Sequence, residues 1–285
     1  MTDSNIIRRK FGRTGIEVTC VGLGGEGILR TFGQEKAAQM VIREAIQQGI
    51  GYFDSANAYA GSEGYYGLVW PERPDIRANI FQASKSAQRN RSGALQDLDN
   101  TLSTMGVDHI DLWQIHDIRT HREIDAISAP GGALEAFLTA KSIGKIRFLG
   151  VTGHHDPEVL TRAVKELPVD AVMIPVNPVE AVLGGFLDST LPAAIERGIA
   201  VIGMKVLGAA QYLSPRAGAT AESLIRFALT YPISVAIVGC SSPQHVQSLA
   251  AAGKATEPLS NQERDDLIEM FQPYAKRLAY YRGVL

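Results

Sequence analysis

Apolar strand-like runs alternate with amphipathic helical stretches along most of this 285-residue chain, and that repeat limits its possible folds more than any other feature. Eight strand–helix units follow one another at a spacing of about 30 residues, the pattern of a (β/α)8 TIM barrel of roughly 250 residues. The predicted strands are Cys20–Gly24, Tyr52–Asp54, Ile80–Ser84, Ile110–Ile115, Phe148–Thr152, Ala171–Pro175, Ala200–Met204 and Val235–Val238. The α/β pattern therefore predicts one barrel domain over residues 1–285.

A doubly wound open sheet is the rival topology for such an alternation. That fold requires a glycine-rich turn that leads directly into the first helix, with an acidic residue about 20 positions further on. Gly22–Gly27 resembles the turn, but the next helix begins only near Gln34. The sequence therefore favours the closed barrel.

Further elements are predicted at both ends of the chain. Strand-like residues Ile7–Phe11 and Ile16–Val18 flank a glycine-containing turn at 12–15, which predicts an N-terminal β-hairpin that serves as a lid or a plug. Ser260–Glu263 is a capping-box pattern that begins a C-terminal helical tail. The tail either covers the barrel mouth or lies against the outer helices, and the sequence leaves both placements open.

One connection is unusually long. Segment 117–130 joins the fourth strand to its helix at Ala133–Ile143 and is predicted as a loop. Loops of this length in a compact fold are more often functional than not. We therefore expect this one to contribute to function.

The charge balance argues against polyanionic partners. Lys and Arg number 28, Asp and Glu number 30, the formal net charge is -2, and no basic tract stands out. Neither nucleic acid nor a membrane is expected as a partner. Residues 1–10 lack the apolar core of a signal peptide, and no apolar run approaches the ~20 residues that span a bilayer. We expect a cytoplasmic protein of unknown oligomeric state.

Neither a disulfide nor a metal site is predicted. Cys20 begins the first strand and Cys240 follows the last, so the two thiols are expected at opposite ends of the barrel. Adjacent histidines such as His154 and His155 rarely chelate one ion, and Asp156 is expected to cap a helix.

The candidate chemistry centres on Gly51–Glu63, where a strand ends and a loop begins. Asp54 ends the second predicted strand and Tyr59 follows on the loop, while Lys85 and His116 lie at the ends of the third and fourth strands. Barrel enzymes carry their chemistry at the carboxyl ends of the strands. These four side chains are therefore expected to converge on one side of the barrel mouth.

The four groups have the outline of an acid/base site. A free tyrosine has a pKa of about 10, so it is a poor acid at neutral pH unless a nearby cation favours the phenolate. Lys85 could supply that cation, with Asp54 keeping Lys85 charged and in place. His116 could bond a substrate carbonyl or relay a proton to Tyr59.

This constellation resembles the aldo-keto reductase family, and the resemblance covers nearly the whole chain. The pattern Gly51-x-x-Asp54-x-Ala-x-x-Tyr59-x-x-x-Glu63 matches the family's first signature, and Asp54, Tyr59, Lys85 and His116 fall in order on its catalytic tetrad. The resemblance implies a (β/α)8 barrel that binds NADPH, or less often NADH, without a Rossmann domain. It also implies hydride transfer between the nicotinamide and a carbonyl carbon, with Tyr59 as the general acid.

The family's cofactor positions are less typical in this chain. Thr152 can keep one bond to the nicotinamide carboxamide, whereas Gly153 and Met173 replace the family's usual asparagine and glutamine. Met204 stands where an aromatic ring often stacks on the nicotinamide, and Lys205 could reach the pyrophosphate. These departures resemble a divergent branch with Met-Lys-Val-Leu on the seventh strand.

The phosphate end of the cofactor site also differs. Gly239 and His245 replace basic residues that many members use for the 2′-phosphate of NADPH, but Ser241, Ser242 and the amino end of the next helix could still bind a phosphate. The cofactor is thus predicted to be NADPH, with NADH possible. The resemblance implies these cofactor-binding residues: Gly24, Gly25, Asp54, Thr152, Gly153, Met173, Met204, Lys205, Leu207, Gly239, Ser241, Ser242 and His245.

The substrate side is more polar than in family members that favour bulky apolar aldehydes. Glu26 and Asp117 stand where those members often carry tryptophan. A small or hydroxylated carbonyl compound is therefore the expected substrate. The candidate lining residues are Glu26, Arg30, Trp70, Asp117, Arg119 and His155.

Three functions follow from these observations. The first is an NAD(P)H-dependent oxidoreductase that reduces an aldehyde or ketone to an alcohol. The second is a nucleotide-sensing protein of the same fold with little turnover, which the altered residues Gly153 and Met173 would permit. The third is an aldolase-like enzyme in which Lys85 forms a Schiff base with its substrate.

Overall fold

The computed structural model describes residues 5–255 and 257–285. Residues 1–4, which belong to the stretch predicted to lack a signal peptide, and residue 256 lie outside the described residues. The strands are β1 Arg8–Lys10, β2 Glu17–Thr19, β3 Val21–Gly27, β4 Tyr52–Asp54, β5 Phe81–Ser86, β6 Ile110–Ile115, β7 Ile146–Thr152, β8 Ala171–Pro175, β9 Ala200–Met204 and β10 Val235–Cys240.

Strands β3 to β10 form a closed parallel barrel, because β10 pairs with both β9 and β3. The predicted (β/α)8 architecture is therefore confirmed, and the doubly wound alternative is excluded. The first barrel strand runs on to Gly27, three residues beyond its predicted end at Gly24. This extension brings Glu26 to the carboxyl end of the barrel, which we call the barrel mouth.

Helices follow the barrel strands on the outside. They are α1 Glu35–Gln47, α2 Ser62–Gly67, α3 Pro74–Arg77, α4 Arg91–Met105, α5 His121–Ser128, α6 Ala133–Ser142, α7 Pro157–Glu166, α8 Pro178–Leu183, α9 Leu191–Glu196, α10 Ala221–Leu229, α11 Pro243–Lys254, α12 Asn261–Phe271 and α13 Ala275–Leu278. Asp156 caps α7 through its side chain, as the sequence predicted.

The prediction of a long loop at 117–130 was wrong, because this segment contains helix α5. The Thr120 side chain accepts from the Glu123 backbone N–H, and the Glu123 carboxylate returns to the Thr120 N–H. This reciprocal capping box begins a helix from a short polar sequence. Helix α8 was also missed, although Asn177 followed by proline is a typical helix start.

The N-terminal hairpin is confirmed, and it plugs the amino-terminal end of the barrel. Strands β1 and β2 pair antiparallel. The fully buried Phe11 ring lies 4.8 Å from the Phe81 ring centroid and 6.3 Å from that of Tyr52. Both partners begin barrel strands, so the hairpin closes the end of the barrel opposite the mouth.

The C-terminal tail combines both predicted placements. Ser260 caps α12 with the predicted box, and Leu267 and Phe271 of α12 join an apolar cluster with Tyr212 on the outside of the barrel. The chain then returns to the mouth, where the Gly283 N–H donates to the His155 carbonyl at 2.9 Å. The helix thus lies on the outer surface while the last residues contact the loop after β7.

Three further observations concern the part of the chain that the structure describes. Cys20 and Cys240 are buried free thiols. No group of three or more metal-ligating side chains is found there. None of the helices in residues 5–255 and 257–285 has the length and apolar character needed to cross a membrane.

Candidate active site

A buried ion pair lies at the base of the barrel mouth. Asp54 ends β4, Lys85 lies near the end of the neighbouring strand β5, and both side chains point inward. The Lys85 Nζ donates to Asp54 Oδ2 at 2.6 Å and to the Ser55 carbonyl at 2.7 Å. Burial alone would lower the pKa of Lys85, but the Asp54 carboxylate and the Tyr59 phenol outweigh it, so this pKa lies above its ordinary value. Lys85 is therefore an ammonium at neutral pH.

Tyr59 lies directly above that pair. Its ring centroid is 4.8 Å from Lys85 Nζ, and a Cβ built on Gly25 would be 2.6 Å from the ring, so the glycine leaves room for the phenol. Burial raises the pKa of Tyr59, and the charge of Lys85 opposes that shift. The phenol is therefore protonated at neutral pH, which is the form that a general acid requires.

His116 completes the corner. Its ring centroid lies 5.6 Å from that of Tyr59 at an interplanar angle of 81°, and its backbone N–H donates to the Ser86 carbonyl at 2.9 Å. Burial, followed by the charge of Lys85, lowers the pKa of His116 to about 3. The imidazole is therefore neutral at pH 7, with one N–H donor and one acceptor nitrogen.

A second group of polar side chains faces this corner from β7 and the segment after β6. Asp117 has a left-handed φ of 54°, and its N–H donates to Thr152 Oγ1 at 2.8 Å. Its carboxylate lies 2.6 Å from the Arg119 guanidinium and 3.4 Å from His154 Nε2. The position of His154 beside Asp117 was not predicted, because the adjacent histidines were weighed only as metal ligands.

Charges of both signs surround the phenol at the outer edge of the mouth. Glu26 and Arg30 pair at 2.6 Å, and the Arg30 guanidinium carbon lies 4.9 Å from the Tyr59 ring centroid. Burial lowers the pKa of Lys205, and Glu26 and Asp117 oppose that shift. Charged side chains therefore line this edge of the mouth.

Close contacts between glycines fix the position of Glu26. A Cβ on Gly239 would lie 2.6 Å from the Glu26 Cβ, and a Cβ on Gly24 would lie 3.0 Å from the Gly239 nitrogen. The two glycines therefore allow β3 and β10 to approach closely. They shape the wall of the mouth through packing.

Several predicted cofactor residues occupy packed positions. A Cβ on Gly153 would lie 3.0 Å from the Ile118 carbonyl oxygen, so the backbone there leaves little room for the asparagine that the family usually carries. Met173 and Met204 are buried in the apolar cluster inside the barrel, and Leu207 packs partly against the cluster around Tyr212.

Two predicted substrate residues lie away from the phenol. Trp70 is 1% exposed, stacks on Tyr66 and donates its indole N–H to Gln82 Oε1 at 3.0 Å, so it belongs to the layer between barrel and helices. The His155 ring packs on Gly283, where a Cβ would lie 1.8 Å from the imidazole. The structure therefore does not bring either side chain to Tyr59.

The donors at the mouth fit a nicotinamide nucleotide at its phosphate groups. Ser242 caps the twelve-residue helix α11, and the Ser241 N–H is taken up by His245 Nδ1 at 3.3 Å, so the hydroxyl groups of Ser241 and Ser242 are the candidate phosphate donors at the amino end of this helix. Lys205 and Arg30, which interact electrostatically with each other, add positive charge at the mouth. Cations and a helix amino terminus are suited to phosphate oxygens.

Comparison with known proteins agrees with this geometry. The model of the "Aldo/keto reductase family" matches residues 20–218. L-galactose dehydrogenase of Arabidopsis thaliana is 26% identical over 97% of each chain. Aldo-keto reductase yakc [NADP(+)] of Schizosaccharomyces pombe is 29% identical over 61% of this chain and 53% of its own length.

A solved structure shares the fold along the whole chain. The holo form of aldo-keto reductase AKR11C1 from Bacillus halodurans superposes with a TM-score of 0.78 at 20% identity, covering 99% of this chain and 98% of its own. With the family model covering most of the barrel, this chain belongs to the aldo-keto reductase family of NAD(P)H-dependent oxidoreductases.

Proposed function

We propose that this enzyme reduces the carbonyl group of a small hydroxylated aldehyde or ketone, with NADPH as the preferred cofactor and Tyr59 as the general acid. The observation that carries the proposal is the contact of the buried Lys85–Asp54 pair with a protonated Tyr59 beside a neutral His116. The bound nicotinamide would supply hydride to the carbonyl carbon.

The side chains of this corner have distinct parts in the proposed reaction. Tyr59 donates its phenolic proton to the carbonyl oxygen as negative charge develops there. The Lys85 ammonium stabilises the phenolate that remains, and Asp54 holds Lys85 in place. His116, being neutral, directs an N–H donor at the same oxygen and so orients the carbonyl.

Support for NADPH comes from the phosphate-binding groups at the mouth. Lys205, Ser241 and the amino end of α11 provide donors for the pyrophosphate and the 2′-phosphate. The name of the yeast relative includes NADP(+). Neither Gly153 nor Met173 offers a side-chain hydrogen-bond partner for the nicotinamide carboxamide. Most of the proposed binding free energy therefore comes from contacts with the phosphate groups of the nucleotide.

Support for a hydroxylated substrate comes from the charged wall. Glu26 and Asp117 supply acceptors while Arg30 and Arg119 supply donors, and a chain of hydroxyl groups can bond to both kinds of partner. The name of the plant relative identifies a sugar as the molecule on which that enzyme acts. A sugar-like carbonyl compound is therefore the proposed substrate class.

The test is Tyr59→Phe, assayed with NADPH and NADH on a panel of hydroxylated and apolar carbonyl compounds. Loss of the general acid should lower kcat by about 10²–10⁴-fold, while nucleotide affinity stays unchanged. Tyr274→Phe, at a half-exposed tyrosine of the tail, is the matched control. Unaltered turnover in Tyr59→Phe would contradict the proposal.

Two other outcomes would select the alternative functions. Tight nucleotide binding without turnover on any compound of the panel would favour a nucleotide-sensing protein. Substrate trapped on Lys85 by borohydride in the absence of nucleotide would favour Schiff-base chemistry.

A further inference from the structure

The C-terminal tail is connected to the end of β9 through one buried amide. Asn177 is fully buried, and its Nδ2 donates to both the Tyr281 hydroxyl and the Lys205 carbonyl oxygen, each at 3.1 Å. The Asn177 Oδ1 accepts from the Glu180 N–H at 3.0 Å and so caps α8. Every polar atom of this side chain is therefore engaged, which fixes its orientation.

Tyr281 is itself held from two other sides. Its hydroxyl donates to Glu180 Oε1 at 2.8 Å, and its carbonyl oxygen lies 3.1 Å from His154 Nδ1. Glu180 is further paired with the buried Arg282. The tail therefore presents the Tyr281 hydroxyl to Asn177 at a well-defined position.

Lys205 has a backbone conformation that needs such support. Its φ is 57°, in the left-handed region that residues other than glycine rarely occupy. Its carbonyl oxygen accepts from Asn177 and from the Gly208 N–H at 3.1 Å. A residue other than glycine keeps this backbone conformation when surrounding contacts hold it there, and residues of this kind cluster at functional sites.

The Lys205 side chain lies among the charged groups of the mouth. Its ammonium is partly buried and interacts electrostatically with Glu26, Arg30, Asp117 and Lys85. Three cations and two carboxylates make up this group, so it carries a net positive charge that an anion can balance. A lysine ammonium is a point charge on a flexible four-carbon stem, so the position at which the backbone holds Lys205 limits the region that its ammonium can reach.

We infer that Tyr281, acting through Asn177, is a positioning residue that holds Lys205 for contact with a phosphate group of the nicotinamide nucleotide. The inference rests on the proposed function and adds a residue about 75 positions away in sequence to nucleotide binding. It makes nucleotide affinity depend on one hydroxyl of the C-terminal tail.

The experiment is a double-mutant cycle read out as nucleotide affinity. The dissociation constants of NADP⁺ and NAD⁺ are measured by titration calorimetry for the wild type, Tyr281→Phe, Lys205→Met and the double variant. Tyr280→Phe is the matched control, because this neighbouring ring is 46% exposed and Tyr280 is not bonded to Asn177. Thermal unfolding without nucleotide is recorded for each variant.

Lys205→Met should weaken binding by about tenfold to a hundredfold, as expected for loss of a charge-assisted bond. Tyr281→Phe should weaken it by about threefold to tenfold, and the double variant should bind no more weakly than Lys205→Met alone. Tyr280→Phe should bind as the wild type does.

Independent, additive effects of the two substitutions would overturn the inference, as would a Tyr281→Phe variant with lowered thermal stability and unchanged affinity. Unaltered affinity in Lys205→Met would overturn it as well. If the wild type binds neither nucleotide, the proposed function itself fails, so the two failures are distinguishable.

Discussion

This protein has two buried ion pairs that are similar in exposure but contact different groups. Lys85 and Asp54 join adjacent barrel strands, with side chains 1% and 2% exposed. Arg282 and Glu180 join the tail to α8, with side chains 5% and 0% exposed. Burial alone therefore does not distinguish the two pairs.

The difference lies in the third partner of each cation. Lys85 has three N–H donors, of which two go to Asp54 and Ser55 while the ammonium also faces the Tyr59 phenol. Arg282 also donates to the Gly184 carbonyl and lies 5.2 Å from the Phe186 ring centroid. These further partners are a backbone carbonyl and an apolar ring. The first pair thus contacts the proposed general acid, whereas the second joins the C-terminal tail to α8.

Lys85→Met should show the largest effect. Removing the ammonium takes away the stabilisation of the Tyr59 phenolate, and we expect kcat to fall by about 10²–10⁴-fold. The unpaired Asp54 carboxylate should also reduce the free energy of unfolding by about 3–5 kcal/mol. Steady-state kinetics and urea denaturation measure the two effects separately.

The double variant Lys85→Met/Asp54→Leu is the control for that prediction. Replacing both charges by apolar side chains of similar size should recover most of the lost stability, while turnover stays low. Recovery of turnover together with stability would show that Lys85 acts only by supporting the fold, and would remove the distinction between the two pairs.

Arg282→Met should destabilise the protein without impairing the chemical step. It leaves Glu180 buried without its cation, which costs about 3–5 kcal/mol in the free energy of unfolding. Arg282→Met/Glu180→Gln should recover part of that loss. We expect kcat at saturating nucleotide to equal the wild-type value, and a fall comparable to that in Lys85→Met would contradict the assignment of this pair to the tail.

The barrel and the meeting of four polar side chains at its mouth could be predicted because their signals are local and periodic. Strand ends are marked by apolar runs, and the barrel fold brings Asp54, Lys85 and His116 to one end whatever the details of packing. The Gly51–Glu63 segment places Tyr59 close to Asp54 in sequence. The barrel topology alone is enough to bring these residues together.

The surroundings of that corner could not be predicted, because they depend on long-range contacts. Tyr281 meets Asn177 across 104 positions, and no local pattern records that pairing. Trp70 was predicted to line the substrate site, but whether an aromatic ring turns outward to the helices or inward to the mouth is decided by packing. The helix at His121–Ser128 had a local signal in Thr120 and Glu123, which was overlooked.

The smallest expected effect is the change in the free energy of unfolding with pH that His116 causes. The pKa of His116 is about 3 in the folded protein, whereas an unfolded histidine titrates near 6.5. In this pH range the unfolded chain therefore binds a proton that the folded chain does not bind. The free energy of unfolding falls as the pH falls through 6.5 towards 3. Between pH 7 and pH 5 this amounts to about 2 kcal/mol.

Urea denaturation of the wild type and of His116→Asn at both pH values isolates this contribution. The variant carries an uncharged hydrogen-bonding side chain that does not titrate, so its stability should fall by about 2 kcal/mol less than that of the wild type. His154 titrates in both proteins, and its effect cancels in the difference. Equal losses in the two proteins would mean that His116 titrates in the folded state as it does in water. That result would contradict the assignment of a neutral imidazole beside Tyr59.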